Sequence, residues 1–577
     1  MDGQRWTQTR QRPVLDALKR GDPPPGPEPE PPPVAEAAPT PEPDDVGQTA
    51  DRTDLRNAEL LVEWFGADLR YVGTWGKGLA WDGRRWAIDS EGRWQQAAAN
   101  TARLMFDDAL VGLRDAMASG DGERMKQARA KVAWAATSHG APRLAAMVTL
   151  ARSFPSIVVR HGALDRDPML LNVSNGVLDL RTGVLREHRR EDMITKLAPV
   201  DYDPTATCAR FERFMDEIMA GDADLVAFLQ RYLGYCLTGD VREHVLAFWH
   251  GTGCNGKSLL ALVLLHVMGD YAGKAAPDLL FRSELTDRHP TELADLHGLR
   301  LVVCNETTRG RSWDEGTVKD VTGGDRIRAR RMREDFWEFD PTHKIVVFGN
   351  HKPRIACVDD AMRRRLRLVP FAVSFEGSKD TGLLDILKAE APGILRYFVE
   401  GGRAWVAGGL PVPGAVRAAT DDYMRDEDTV GQFLDRECRF EPDAKIARKE
   451  LRAHYVRWSE ERDDEKPVSP KSFADAVRRR GAIERGVRTT SGPRDGWHGV
   501  RLATDAEKTA AATWTGRSDV VTRSEEPAVS PQPPARDGAN REVPATGHDV
   551  TTDTGDDSAG EQDTFAGYLD SERIGRT

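Results

Sequence analysis

The sequence predicts an α/β protein built on a largely parallel sheet with helices on both faces, and three observations predict it. Apolar strand-like runs alternate with helical sequence through the middle of the chain: "HVLAFWH", then the helical "KSLLALVLLHVMG", then "LRLVVCNET", "HKIVVFGN" and "RRRLRLVPF". Strands buried on both sides of a parallel sheet read as continuous apolar runs, because each face meets a helix layer. The second observation is "GTGCNGKS", Gly251 to Ser258, lying between the first strand and the helix. The third is length: 577 residues exceed what one hydrophobic core organises, so roughly two to four domains are expected.

Five segments follow from composition and periodicity. Residues 1–53 include "GDPPPGPEPEPPPVAEAAPTPEPDD", which has too little apolar surface to fold and is expected to be disordered. Residues 54–204 form a mixed α/β lead-in domain. It has helical periods in "LRNAELLVEWFG" and "NTARLMFDDALVGLRDAMA", short strands in "LAWDGRRWAID", and a hairpin in "NVSNGVLDLRTGVLREH". Residues 205–427 hold the central domain, opened by two amphipathic helices, "CARFERFMDEIMAG" and "DADLVAFLQRYLGYCLTG", each closed by a glycine stop signal. Residues 428–505 read as three helices followed by a hairpin, "ERGVRTTSGPRDGWHGVRLA", the order of a small winged-helix module. Residues 506–577 are Ser/Thr/Asp/Gly/Pro-rich and read as an acidic disordered tail.

Composition excludes several classes. No run of about 18 apolar residues exists to span a membrane, and the N-terminus lacks the apolar core of a secretory signal. The six cysteines are scattered without a C-x-x-C pair, which excludes a zinc knuckle or a disulfide framework and fits a reducing cytoplasm. The net charge of -11 argues against nucleic acid only until its placement is considered. The acid is concentrated in the tails, whereas "KDVTGGDRIRARRMR", residues 319–333, carries six basic and two acidic residues. Local fields decide nucleic-acid contact.

"GTGCNGKS" matches the phosphate-binding loop G-x-x-x-x-G-K-[ST]. In that pattern the loop Gly251, Thr252, Gly253, Cys254, Asn255, Gly256 turns backbone N–H groups toward anionic oxygens at the positive end of a helix. Lys257 then reaches the β- and γ-phosphates of ATP, and Ser258 ligates magnesium. Glu306 ends an apolar strand about 45 residues on, where a carboxylate can orient water beside magnesium. Asn305 precedes it in place of a second acid, so Glu306 shares metal coordination and water activation. Asn350 ends another apolar strand. Alone it reads as a turn residue before Pro353; beside a phosphate loop its amide can hold the attacking water. Arg363, Arg364 and Arg365 follow Asp359 and Asp360, as a solvated basic turn or as the source of a guanidinium for a neighbouring subunit's γ-phosphate. Arg326, Arg328 and Arg330 alternate after the turn at Gly323 and Gly324. One face of a strand would carry all three, either to grip a phosphate backbone or to guard a sheet edge.

The ordered set "GTGCNGKS", "RLVVCNET", "KDVTGGDRIRARR", "KIVVFGNHKP" and "DDAMRRRLRLVPF" resembles the superfamily 3 DNA helicases, in particular the phage and plasmid primase-helicase family related to the poxvirus nucleoside-triphosphatase–primase. "NGVLDLRTG" and "LQRYLGYCLTG" are similar to that family's lead-in, so the resemblance covers roughly residues 55 to 505. It implies an AAA+-type P-loop ATPase core that forms a ring, a homo-hexamer. Lys257, Ser258, Glu306 and Asn350 take the ATPase roles, and Lys319 with Arg326, Arg328, Arg330 and Arg331 the DNA-engaging hairpin. A finger is drawn from Arg364 or Arg365, where Arg363 replaces a common aromatic. It implies single-stranded and forked DNA as partner, and leaves open whether a separate primase or polymerase acts beside it. Only about 50 residues precede the lead-in, so no primer synthesis is expected of this chain. The expected setting is the cytoplasm of a bacterial host, with a phage or plasmid as source. A replication initiator using ATP as an assembly switch and a primase are the competing readings. Strand displacement, sequence-selective duplex binding and ribonucleotide incorporation separate the three.

Overall fold

The computed structural model describes residues 51–508 except 283–289, 307–309, 333–334, 356–357, 378–379, 464–466 and 490–491. Expectations for residues 1–50 and 509–577 lie outside the described residues. The described chain begins before residue 54 and runs past residue 505. Thr53 caps helix α1 (Asp54–Phe65), its hydroxyl accepting the Arg56 N–H at 3.1 Å. At the other end Glu507 pairs with Arg501 at 2.8 Å and Lys508 with Glu437 at 2.6 Å, so ordered chain continues past 505.

The lead-in begins with α1 and an antiparallel sheet of β1 (Leu69–Val72), β2 (Lys77–Trp81) and β3 (Trp86–Ile88). Helices α2 (Arg93–Ser119), α3 (Gly122–Ser138) and α4 (Ala141–Ala151) follow. Ala58, Leu61, Trp94, Met147 and Ile157 close a core of their own. A second antiparallel sheet joins β4 (Leu170–Val173), β5 (Gly176–Asp179) and β6 (Val184–Arg186). Its inner residues Leu171, Val173 and Leu178 belong to the same hydrophobic cluster as Phe211 and Phe214 of α5 (Ala209–Ile218) and Leu229 of α6 (Ala223–Cys236). The core therefore runs unbroken across residue 204.

The central block contributes β7 (Leu246–His250), α7 (Lys257–Met268), β8 (Ala272–Lys274), β9 (Leu301–Glu306), α8 (Glu315–Thr322), β10 (Ile327–Ala329), β11 (Trp337–Phe339), β12 (Lys344–Gly349), α9 (Asp360–Arg365) and β13 (Leu366–Pro370), then α10 (Ala391–Gly408) and α11 (Gly414–Glu427). Five strands make one parallel sheet in the order β13-β7-β12-β9-β8. Alternate residues enter opposite layers. Ala247, Trp249, Val346, Phe348, Leu301 and Val303 join the cluster holding Leu260 and Leu264 of α7. Leu246, Phe248, Ile345, Val347, Val302 and Cys304 join the cluster holding Trp313, Val318 and Tyr423. This double burial is why the strands read as unbroken apolar runs. Helix α6 meets α10 backbone to backbone: a Cβ on Gly234 would stand 2.0 Å from the Gly402 nitrogen.

The last block has its own core around Phe433, Leu451, Tyr455, Phe473 and Trp497. It comprises α12 (Thr429–Glu437), β14 (Cys438–Arg439), β15 (Lys445–Ala447), α13 (Arg448–Asp463), α14 (Pro470–Arg479), β16 (Ile483–Thr489), β17 (Gly492–His498) and β18 (Arg501–Leu502). The hairpin β16–β17 gains a third strand, because β15 pairs with β17. No helix among the described residues is long and apolar enough to cross a membrane.

Candidate functional site

The loop from Gly251 to Gly256 joins β7 to α7, and its geometry explains its composition. Gly253 and Gly256 have φ of 115° and 85°, and Cys254 between them has φ 47°. Such left-handed steps turn successive N–H groups to one side, forming a concavity for anions. Gly251 is required for another reason: a Cβ there would lie 2.1 Å from Asn255 Nδ2 and 2.4 Å from the Phe371 carbonyl oxygen. A Cβ on Gly256 would lie 2.5 Å from Ile218 Cγ2, so α5 of the helical lead-in supports the loop from outside. Thr252 and Ser258 are exposed at the loop mouth, whereas Asn255 and Lys257 are buried.

Lys257 Nζ donates to the Gly251 carbonyl at 2.9 Å, to Asn255 Oδ1 at 2.7 Å and to Asn350 Oδ1 at 3.3 Å. Asn255 Nδ2 in turn donates to the Phe371 carbonyl at 3.3 Å, which fixes its oxygen toward the ammonium. The three acceptors are neutral, and burial pushes the Lys257 ammonium down to about 8. Beside it, desolvation and the cations Lys352 and Lys257 push His250 down to about 4. The loop is thus a desolvated positive site that an anion would relieve.

The strand register brings Asn350 and the end of β9, where the sequence places Glu306, to the same end of the sheet. Gly349 of β12 pairs with His250 of β7 on one side and with Glu306 of β9 on the other. Neighbouring strands lie about 4.8 Å apart, so the backbones of His250 and Glu306 stand roughly 10 Å apart with Asn350 following between them. The Glu306 side chain lies outside the described residues. Asn350 does not act merely as a turn residue, since its side-chain oxygen accepts from Lys257.

The arginines occupy the opposite end. Strand β13 starts with Leu366 against Leu246 and finishes with Pro370 against His250. Its length separates α9 from the loop by roughly 13 Å along the sheet, at about 3.3 Å per residue. Arg363 pairs with Asp421 at 2.8 Å. Arg365 is half-buried and donates to Thr322 Oγ1 at 3.1 Å. Arg364 is exposed, with its Nε on the Asp360 carbonyl at 3.2 Å.

The basic segment divides between two elements. Lys319 lies on α8, not on the hairpin, and pairs with Asp359 at 2.6 Å. Burial works against the Asp359 charge, yet the Lys319 hydrogen bond holds its carboxyl below the usual range. Arg326, Arg328, Arg330 and Arg331 are exposed on and around β10, while Ile327 and Ala329 are buried, as alternation requires. Strand β11 pairs antiparallel with β10. Arg326 Nε meets Asp340 at 2.9 Å. The inner side of the hairpin is aromatic, a feature sequence reading missed. The Trp337 ring lies 4.7 Å from His297 and 5.7 Å from His161 of the lead-in. His161 Nε2 sits 3.2 Å from the Glu338 carbonyl, an acceptor, so that nitrogen carries the proton. The available signal was "EDFWEF", an aromatic cluster directly after the basic run.

A D5 N-terminal-like family model matches residues 58–220, and a model of a family of unknown function matches residues 249–365. The chain is 29% identical over 302 residues to "Putative helicase L207/L206" of Acanthamoeba polyphaga mimivirus, covering 47% of this chain and 31% of that protein. It is 24% identical over 440 residues to "Putative helicase 022R" of Frog virus 3 (isolate Goorha), covering 60% and 43%. It is 27% identical over 226 residues to "Putative primase C962R" of African swine fever virus (strain Badajoz 1971 Vero-adapted), covering 38% and 24%. The matches thus span less than half the length of each of these relatives, which come from viruses of eukaryotes. The apo structure of the NrS-1 C-terminal region (A form) aligns with 10% identity and a TM-score of 0.42, covering 77% of this chain and 98% of that one. These matches support the resemblance to the superfamily 3 primase-helicase family.

Proposed function

We propose that this chain is an ATP-hydrolysing DNA helicase of replication, with an AAA+-type core, a winged-helix module at residues 428–505, and a homo-hexameric ring as its working form. One observation carries the reading: Lys257 Nζ is enclosed by Gly251, Asn255 and Asn350 oxygens at the sheet end where β9 delivers Glu306. An ammonium that meets only neutral oxygens among the described residues suits a triphosphate. Among the described residues no cluster of three or more His, Cys, Asp or Glu side chains suits a metal. Magnesium fits that poverty, since it takes one or two protein ligands and completes its shell with water and phosphate oxygens. Ser258 and Glu306 would hold it. When bound, magnesium would neutralise the charge that develops on the transferring phosphoryl group.

The protein's own residues do the rest. The loop N–H groups and Lys257 orient the phosphates. Asn350 passes its oxygen from Lys257 to the attacking water as the ammonium turns to the phosphate. Glu306 polarises that water. Arg364, exposed and remote from its own loop, serves the neighbouring subunit's site, while Arg365 braces α9 against α8 through Thr322. The hairpin arginines Arg326, Arg328, Arg330 and Arg331 follow the DNA backbone. Lys319 holds the base of α9 through Asp359 instead of touching DNA.

Strand displacement on a forked duplex, run beside a priming assay, tests this reading. ATP-dependent unwinding without ribonucleotide incorporation is the expected result. The double variant Arg326→Ala, Arg328→Ala should lose DNA-stimulated hydrolysis and displacement. Its salt dependence of single-strand binding should flatten by roughly 1.4 units of slope, about 0.7 for each lost phosphate contact. Selective binding of one duplex with no unwinding would establish the initiator in its place.

A further inference from the structure

The hairpin has two faces of opposite character. Ile327, Ala329 and Phe339 are buried, and Trp337 packs on His297 and His161, so the inner face is already occupied by protein. The register pairs Arg328 with Glu338 and Ala329 with Trp337. Alternation therefore puts Phe336 on the outer face with Arg328 and Arg330. There Phe336 is 45% exposed. The guanidinium carbons of Arg328 and Arg330 each lie 4.7 Å from its centroid. A large aromatic so exposed on a short charged hairpin adds nothing to the inner core. Its neighbours carry the charges that would meet a phosphate backbone.

Resting on the helicase reading above, we propose that Phe336 is a stacking platform for an unpaired base, and that Arg328 and Arg330 hold the flanking phosphates. Every base has a π-face, so such a platform accepts any sequence but requires the base to be out of a duplex. Arginines that cover the ring in the free protein can shift to phosphates as the base arrives, exchanging one cation–π contact for a charge-assisted hydrogen bond. The pairing would make the hairpin selective for single strands, which phosphate contacts alone do not achieve.

The test uses the full chain and two probes, a deoxythymidine 20-mer and the same backbone carrying abasic sugars, followed by fluorescence anisotropy. The parent should bind the base-bearing strand about 10-fold more tightly, the scale of one stacked base. Phe336→Ala and Phe336→Leu should bind the two strands equally, and Phe336→Trp should keep the preference. The salt slope should not change in any of the three, because the arginines remain. A parent that binds both strands equally, or a Phe336→Ala variant that still discriminates 10-fold, overturns the platform and leaves the helicase reading standing. A parent that binds neither strand overturns the helicase reading and the platform with it.

Discussion

Nucleotide binding should draw a proton from solvent, and Lys257 sets the amount. Among the described residues the Lys257 ammonium meets only neutral oxygens, and burial pushes it down to about 8. A bound triphosphate supplies the missing negative charge and returns the group to at least its ordinary range near 10.5. The shift of about 2.5 units corresponds to roughly 3.4 kcal/mol of coupling. Proton uptake per nucleotide should then be about 0.1 at pH 7, about 0.5 at pH 8 and about 0.9 at pH 9. Apparent affinity should fall toward ten-fold per pH unit above pH 8, since the free site is then mostly neutral. His250, held down to about 4, titrates too far below this window to contribute. Calorimetric titration with a non-hydrolysable ATP analogue, repeated in buffers of different ionisation enthalpy, measures the uptake directly. Lys257→Arg keeps a permanent charge, so any binding it retains should show no uptake at pH 9. Uptake in the parent that stays flat from pH 7 to 9, or survives in Lys257→Arg, would refute the account of a desolvated ammonium.

Three further outcomes follow from the same geometry. Glu306→Gln should bind ATP yet hydrolyse it slowly, whereas Lys257→Ala should lose affinity; near-normal turnover in Glu306→Gln removes it from the water-orienting role. Arg364→Ala should be inactive alone and regain ATPase when mixed with Lys257→Ala protein, because a mixed ring contains one intact site. No recovery in demonstrated mixed rings would return the finger to its own subunit. Gly234→Ala should lower stability by about 1–3 kcal/mol or more in denaturant melts, because its Cβ meets the backbone of α10 and not a movable side chain. An unchanged midpoint would mean that the two helices do not approach this closely.

The sequence by itself determined whatever is specified within a few neighbouring residues. The loop from Gly251 to Ser258 is legible because its pattern is contiguous: glycines for left-handed steps, then Lys257 and Ser258 at the start of a helix. The outward row of Arg326, Arg328 and Arg330 is legible because alternation is a local property of a strand. The apolar strands announced a sheet covered on both sides. Tertiary structure alone decided how distant segments meet. Strand order set Asn350 between the loop and Glu306, and its bond to Lys257 adds to the turn that its neighbours suggest. The length of β13 moved Arg364 and Arg365 away from their own loop, and only side-chain packing distinguished the exposed Arg364 from the engaged Arg365. Lys319 pairs with Asp359, forty positions on, a contact that sequence spacing does not announce. The β4–β6 sheet of the lead-in shares one core with the central segment, where Leu171 and Phe211 join the same cluster, and sequence spacing carries no record of a contact made through space. Periodicity reports which face of an element is buried; which partner buries it depends on loop paths and layer order that no local pattern encodes.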